Sequence, residues 1–212
     1  LHYPLRRQRQ MCIRDRICIV IIDYIIRRYI MDTSCPKYDI QKIFSAYNPS
    51  RPNAYAQIKG GPLAPCIRGT IYLYQLGEGV YIKVYITGIP NVNNQASSFH
   101  GLHIHEVGDC SIGNNNEPFT AAKSHYNPSN VAHPMHAGDL PPILSANGIG
   151  ILSTFTNRFT VDEVIGKSFI LHAGYDDFTS QPAGNSGARW ACGIIDYYLS
   201  LIHISEPTRL GM

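Results

Sequence analysis

The sequence predicts an all-β protein, an antiparallel sandwich or barrel, and three observations carry that expectation. Only 16% of the residues are charged, while 18 glycines, 14 prolines and 14 tyrosines punctuate the chain, a composition of strands and turns rather than of helices. Val80, Ile82, Val84 and Ile86 alternate with Tyr81, Lys83, Tyr85 and Thr87, the period of two that a half-buried strand requires. Short apolar runs of this kind recur between Gly- and Pro-rich connections, as in all-β folds.

Taken in chain order, Ala54–Lys59 is the first expected strand, ending at Gly60-Gly61. Ile67–Gln75 and Val80–Thr87 flank the tight turn Leu76-Gly77-Glu78-Gly79. A fourth strand covers His100–Glu106, and later ones cover Gly150–Asn157, Ser168–His172 and Arg189–Tyr197. Thr160 with Glu163 forms a capping box, which predicts a helical turn over Val161–Ile165. A weakly helical stretch is expected around Tyr38–Tyr47. Two stretches without periodicity, Val107–Ile149 and Ala173–Ala188, exceed ordinary loop lengths and are candidates for function.

The 212 residues, 44% of them hydrophobic, suit one globular domain with a sizeable core. The formal charge of +3 does not point to nucleic acid. Seven arginines stand in residues 1–30 against Asp15 and Asp23, which leaves the rest of the chain slightly acidic and without a basic stripe.

The two ends are expected to be non-native. The tail Leu199–Arg209 and the segment Met11-Cys12-Ile13-Arg14-Asp15-Arg16 can be translated from opposite strands of one DNA element. That element resembles a transposon adapter used for sequencing libraries, and such scars are set aside in fold reasoning. Ile17–Ile30 is too short for a membrane helix and is interrupted by Asp23, since spanning needs about 20 apolar residues. It also lacks a small-residue cleavage site, and reads as translated upstream DNA, with a short membrane-proximal anchor as the alternative. The expected division is a leader over 1–30, one domain over 31–198 beginning at Met31, and a tail over 199–212. Without an export signal after Met31, a cytoplasmic location is the expectation, with periplasmic or extracellular placement as the alternative.

Seven histidines lie in 31–198, all at strand ends or in the long loops. His103 and His105 stand two apart on an expected strand and share a face. His125, His133, His136 and Asp139 fall within fifteen residues. Three imidazoles and a carboxylate suit a closed tetrahedral zinc site, and imidazoles from strand ends suit tetragonal copper(II).

These segments resemble the copper–zinc superoxide dismutases. His100-Gly101-Leu102-His103-Ile104-His105-Glu106 is similar to the family's first signature, and Gly187-Ala188-Arg189-Trp190-Ala191-Cys192-Gly193 to its second. His125-Tyr126-Asn127-Pro128, His136-Ala137-Gly138-Asp139-Leu140 and His172-Ala173-Gly174-Tyr175-Asp176-Asp177 resemble its remaining ligand stretches. The resemblance runs from about Ala54 to Ile195 in the family's order. The compact loop and the place of Cys110, five residues after His105, are similar to the bacterial branch.

The resemblance implies an eight-stranded antiparallel Greek-key β-barrel with long metal-binding and active-site loops. It implies copper at His103, His105, His125 and His172, and zinc at His125, His133, His136 and Asp139. The implied reaction converts two superoxide anions to oxygen and hydrogen peroxide. Copper alternates between Cu(II) and Cu(I), zinc is structural, and bridging His125 takes and returns a proton. Asp176 would accept from one histidine of each metal, Arg189 would attract the anion, and His100 would be structural. Cys110 and Cys192 would form a disulfide, while Cys35 and Cys66 are expected to be free buried thiols. The alternative is a copper-binding or copper-delivery protein on the same scaffold, against which the complete ligand set and Arg189 stand. No nucleic-acid or membrane partner is expected, and the chain is a monomer or a homodimer.

Two departures matter. Only Pro134 and Met135 separate His133 from His136, which puts the zinc geometry in question. The stretch 173–188 carries no Lys or Arg, so steering of an anion would rest on Arg189, with Lys123 as a helper, and would be weak.

Overall fold

The computed structural model describes residues 51–91 and 97–198. The expected helical stretch at Tyr38–Tyr47, Cys12, Cys18 and Cys35, and both expected non-native ends lie outside the described residues. Nine strand segments form one antiparallel sheet: β1 Ala54–Gly60, β2 Arg68–Leu76, β3 Gly79–Thr87, β4 Ser97–His100, β5 Leu102–His105, β6 Ile143–Ala146, β7 Ile149–Thr156, β8 Ser168–His172 and β9 Arg189–Tyr197. Their order across the sheet is β4-β6-β7-β3-β2-β1-β9-β8-β5. Hairpin neighbours β1–β2–β3, β6–β7 and β8–β9 alternate with connections that cross over other strands, from β3 to β4, β5 to β6 and β7 to β8, as in Greek-key folds.

The two ends of that order are halves of one strand. The stretch expected as a single strand at His100–Glu106 is interrupted at Gly101, so that β4 pairs with β6 while β5 pairs with β8. Gly101 leaves the ladder to donate its N–H to the Gly174 carbonyl, at 2.8 Å, and its own carbonyl accepts from the His172 N–H at 2.9 Å. The sheet thereby closes nearly into a barrel, and nine segments correspond to the eight strands of the expected fold.

Strand β6 corrects the expectation that Val107–Ile149 is irregular throughout. Ile143–Ala146 pairs with β4 on one side and β7 on the other. The signal was Asn147-Gly148, both with positive φ (50° and 77°), the pair favoured in two-residue hairpins.

The inward faces build the core: Ala54, Ala56 and Ile58 from β1, Ile71 and Leu73 from β2, and Val80, Ile82, Val84 and Ile86 from β3. Leu102, Ile104, Phe169 and Leu171 continue it beneath the long loops. Each fully buried Ile or Leu contributes about 2 kcal/mol. The alternation in β3 is less clean than expected. Tyr81 is also buried, because its ring packs beside Tyr74, and Lys83 lies over both rings. A single helical turn, α1 at Val161–Val164, follows β7. Its Glu163 carboxylate accepts from the Thr160 N–H at 2.6 Å. Among the described residues no helix is long and apolar enough to cross a membrane.

Candidate metal centre

β5 is hydrogen-bonded to β8 along one edge, and a bare second edge would leave polar backbone groups unpaired. The loop after β5 folds back to cover it. Tyr126 donates its N–H to the Ile104 carbonyl (2.8 Å), Ile104 donates to Gly138 (2.9 Å), and Glu106 donates to Ser124 (3.0 Å). This pairing sets His125 opposite His105 and Asp139 opposite His103. Position 138 must be glycine for the loop to lie so close, since a Cβ there would run into the Ile104 carbonyl.

Two donor clusters result. His103, His105, His125 and His172 form one; His125, His133, His136 and Asp139 form the other. In each, every residue offers a ligand atom within 4.8 Å of the others, and all seven residues are buried.

The ring nitrogens test whether these clusters fit metal ions. His103 Nε2 bonds Asp176 Oδ2 (2.8 Å), His105 Nδ1 bonds the Lys123 carbonyl (2.8 Å) and His172 Nδ1 bonds the Gly187 carbonyl (3.2 Å). Each acceptor requires a proton on the nitrogen it meets, which leaves a lone pair on the other nitrogen. Those other nitrogens, His103 Nδ1, His105 Nε2 and His172 Nε2, have no hydrogen-bond partner, nor have His125 Nε2, His133 Nδ1 and His136 Nδ1. Six orphaned, buried ring nitrogens grouped in this way fit cations.

The second cluster is the tighter. Asp139 Oδ1 lies 2.7 Å from His125 Nδ1, and its Oδ2 lies 3.1 and 3.2 Å from His133 Nδ1 and His136 Nδ1. The last two are close but not oriented as hydrogen bonds, since both nitrogens lack a partner. Donors around a tetrahedral zinc ion sit about 3.3 Å apart, so the short His133–His136 connection is compatible with that geometry. His125 belongs to both clusters, with Nδ1 towards Asp139 and Nε2 orphaned on its other side.

Asp176 joins the clusters from outside. Its Oδ2 meets His103 Nε2, and its Oδ1 meets His133 Nε2 at 2.9 Å. Burial opposes its ionisation, but hydrogen bonds from His103, the Phe178 N–H and His133 outweigh it and hold the carboxyl well below its usual range. Burial likewise opposes ionisation of Asp139, and the His125 hydrogen bond with the surrounding imidazoles reverses it. Burial pushes His103, His105 and His172 down and keeps them neutral, the form a metal ligand needs. Gly184 packs over the Asp176–His133 contact, where a Cβ would strike the Asp176 carboxylate.

His105, His125, His172 and Arg189 line one open pocket. Arg189 donates Nη1 to the Phe119 carbonyl (2.6 Å) and Nη2 to the Lys123 carbonyl (2.7 Å). Lys123 O therefore receives both the arginine and His105. Both carbonyls come from non-glycine residues with positive φ, 64° at Phe119 and 62° at Lys123, and such backbone strain is commonest where it serves a site.

His100 joins neither cluster; its Nδ1 contacts the His172 and Ala173 carbonyls (3.1 and 3.0 Å) and its Nε2 contacts Ser98 Oγ (2.7 Å). Cys110 and Cys192 are joined in a disulfide across 82 residues, tying the start of the long loop to β9. Cys66 is free but exposed, which corrects the expectation of a buried thiol: it sits in the loop before β2, where its own side chain points away from the core. Gln181 carried no sequence signal. It grips the His133 backbone, accepting from its N–H (3.1 Å) and donating to its carbonyl (2.7 Å). Contacts to backbone leave no pattern of residue types from which to read them.

A nearly closed antiparallel barrel carrying two buried donor clusters, one of four imidazoles and one of three imidazoles and a carboxylate, joined by one histidine, has the architecture of a metalloprotein with paired metal sites. The family model for copper/zinc superoxide dismutase matches residues 67–195. The chain is 40% identical over 145 residues to the superoxide dismutase [Cu-Zn] of Deinococcus radiodurans, covering 60% of this chain and 76% of that protein. It is 32% identical over 148 residues to the extracellular superoxide dismutase [Cu-Zn] of Mus musculus, spanning 63% of this chain and 55% of that longer protein. The Cu/Zn superoxide dismutase structure from Brucella abortus superposes with a TM-score of 0.56 at 27% identity, over 66% of this chain and 98% of that one. This chain belongs to the copper/zinc superoxide dismutase family, oxidoreductases acting on superoxide with copper and zinc. The family assignment favours the enzyme over a copper carrier.

Proposed function

We propose that the chain disproportionates superoxide, with copper held by His103, His105, His125 and His172 and zinc by His125, His133, His136 and Asp139. The observation that carries this is His125, one imidazole serving two clusters through its two nitrogens. Copper supplies one-electron redox chemistry when bound, and zinc supplies fixed positive charge without redox chemistry.

The chain's own residues do the rest. Arg189, pinned by two carbonyls, presents a cation that cannot swing away from the pocket, where it attracts and orients the superoxide anion. Its position beside His105, His125 and His172 brings the anion to the first cluster. His125 Nε2 is the atom suited to carry a proton to the reduced substrate, while its Nδ1 side keeps the ring in place through Asp139. Asp176 orients one imidazole of each cluster, so that neither ring has to reorganise when a metal enters.

Both clusters draw every donor from one chain, so the chemistry needs no second copy, and the chain acts as a monomer or a homodimer. Sedimentation velocity at micromolar concentration separates the two. The test of function is to load the chain with copper and zinc and measure superoxide removal beside His172→Ala. Removal far faster than in the variant supports the proposal; both metals bound with equal rates in the two proteins overturns it.

A further inference from the structure

The zinc cluster takes its donors from residues 125–139, and much of the bonding inside that segment is local. Asn127 closes on Val131 through its side chain (2.8 and 3.1 Å), and Met135 donates to the Ala132 carbonyl (2.9 Å). Asp139 donates its N–H to the His136 carbonyl (3.2 Å), while the His136 N–H donates to Asp139 Oδ2 (3.0 Å). The turn that presents two zinc donors is thus closed on itself, and its carbonyls are still open to a further donor.

Arg158 meets those carbonyls. It lies between β7 and α1, belongs to neither cluster and is remote in sequence from the loop. Its Nη1 lies 3.1 Å from the Pro134 carbonyl, 3.1 Å from that of His136 and 3.4 Å from that of Asp139. Three carbonyl oxygens converging on one point repel one another unless a cation meets them, and a guanidinium stays charged at any working pH. Two of the three belong to zinc donors, and the third belongs to the residue after His133. Gln181 separately holds the His133 backbone.

We propose that Arg158 is a positioning residue for zinc. By fixing the carbonyls of Pro134, His136 and Asp139, it sets the orientation of the His136 imidazole and the Asp139 carboxylate before the ion arrives. It stands in for the bracing that the two-residue connection between His133 and His136 is too short to supply itself. The inference rests on the assignment of zinc to this cluster.

The test uses the full chain, with zinc and copper affinities measured separately by chelator competition. The absorption bands of Co(II) bound in place of zinc and the melting temperature of the metal-free protein complete it. Arg158→Ala is expected to weaken zinc binding about 10- to 100-fold and shift the Co(II) bands. Copper affinity should change by less than about twofold, and the metal-free melting temperature little. Arg158→Lys, which keeps the charge but not the planar fork, should recover part of the loss. Unchanged zinc affinity in Arg158→Ala overturns the inference alone. So does an equal loss for copper with a lowered metal-free melting temperature, because the residue would then merely stabilise the fold. A parent chain that takes up no zinc overturns the zinc assignment and the inference with it.

Discussion

The two donor clusters share His125 but are built in opposite ways. In the first, His103 and His105 stand on β5 and His172 ends β8, so the barrel's own ladder places three of the four imidazoles. In the second, every donor comes from one loop. Backbone pairing with β5 places His125 and Asp139, and the rest of the loop's precision is borrowed from side chains elsewhere: Asp176 on His133, Gln181 on the His133 backbone, and Arg158 on the carbonyls. Donors on paired strands are positioned by folding itself. Donors on a loop must be braced one contact at a time. The second cluster should therefore be the more sensitive to changes outside it.

The sharpest way to break this contrast is Asp176→Ala, which removes one hydrogen bond from each cluster. Zinc affinity should fall about 10- to 100-fold and copper affinity by clearly less, because the β5 ladder still holds His103. Equal losses, measured by competition titration, would show that the strands confer no advantage. Arg189→Ala tests the pocket without touching either donor set. Both metals should bind as before, while superoxide removal falls about tenfold and loses much of its dependence on ionic strength. Arg189→Lys should retain part of the rate.

Acid should separate the clusters in the metal-free protein. His103, His105 and His172 have folded-state pKa values below the ordinary 6.5. The unfolded chain therefore takes up protons that the folded one refuses, and stability falls as pH drops below about 6.5. Asp139 and Asp176 are held below the ordinary 3.8. Their contribution, present above that value, is lost only as pH falls further. Melting temperature against pH should thus decline in two stages, the first flattened in His172→Ala. The smallest effect concerns the strained support of Arg189. Lys123→Gly relieves a positive φ and should stabilise the fold by about 1 kcal/mol, leaving both metal affinities unchanged.

Much of the fold was legible because strand period and turn residues are local properties. Ser168–His172 and Arg189–Tyr197 occur with the bounds their residues predict, and the Thr160–Glu163 capping box is formed. The break at Gly101 was not legible, since its cause is the distant pairing of Gly101 with Gly174 and His172. β6 was passed over because four residues are too few for a period to stand out, although Asn147-Gly148 marked its turn. His103 with His105, and His125, His133, His136 and Asp139, were nameable from their types and spacing, while His172 and the sharing of His125 followed from the resemblance to the family. The exposure of Cys66 was not, since a thiol in a loop faces whichever way the packing leaves open.

By itself, the sequence determined a β protein with candidate metal donors, because strand alternation and short-range histidine spacing are local, and its motifs resemble those of the copper/zinc superoxide dismutase family. Only the tertiary structure decided which nitrogen of each imidazole stays free, since that depends on the carbonyl or carboxylate facing the other one. It also decided which backbone groups steady the second cluster. Those contacts join Arg158 and Gln181 to carbonyls and an amide far along the chain, and a backbone group is the same whatever residue carries it.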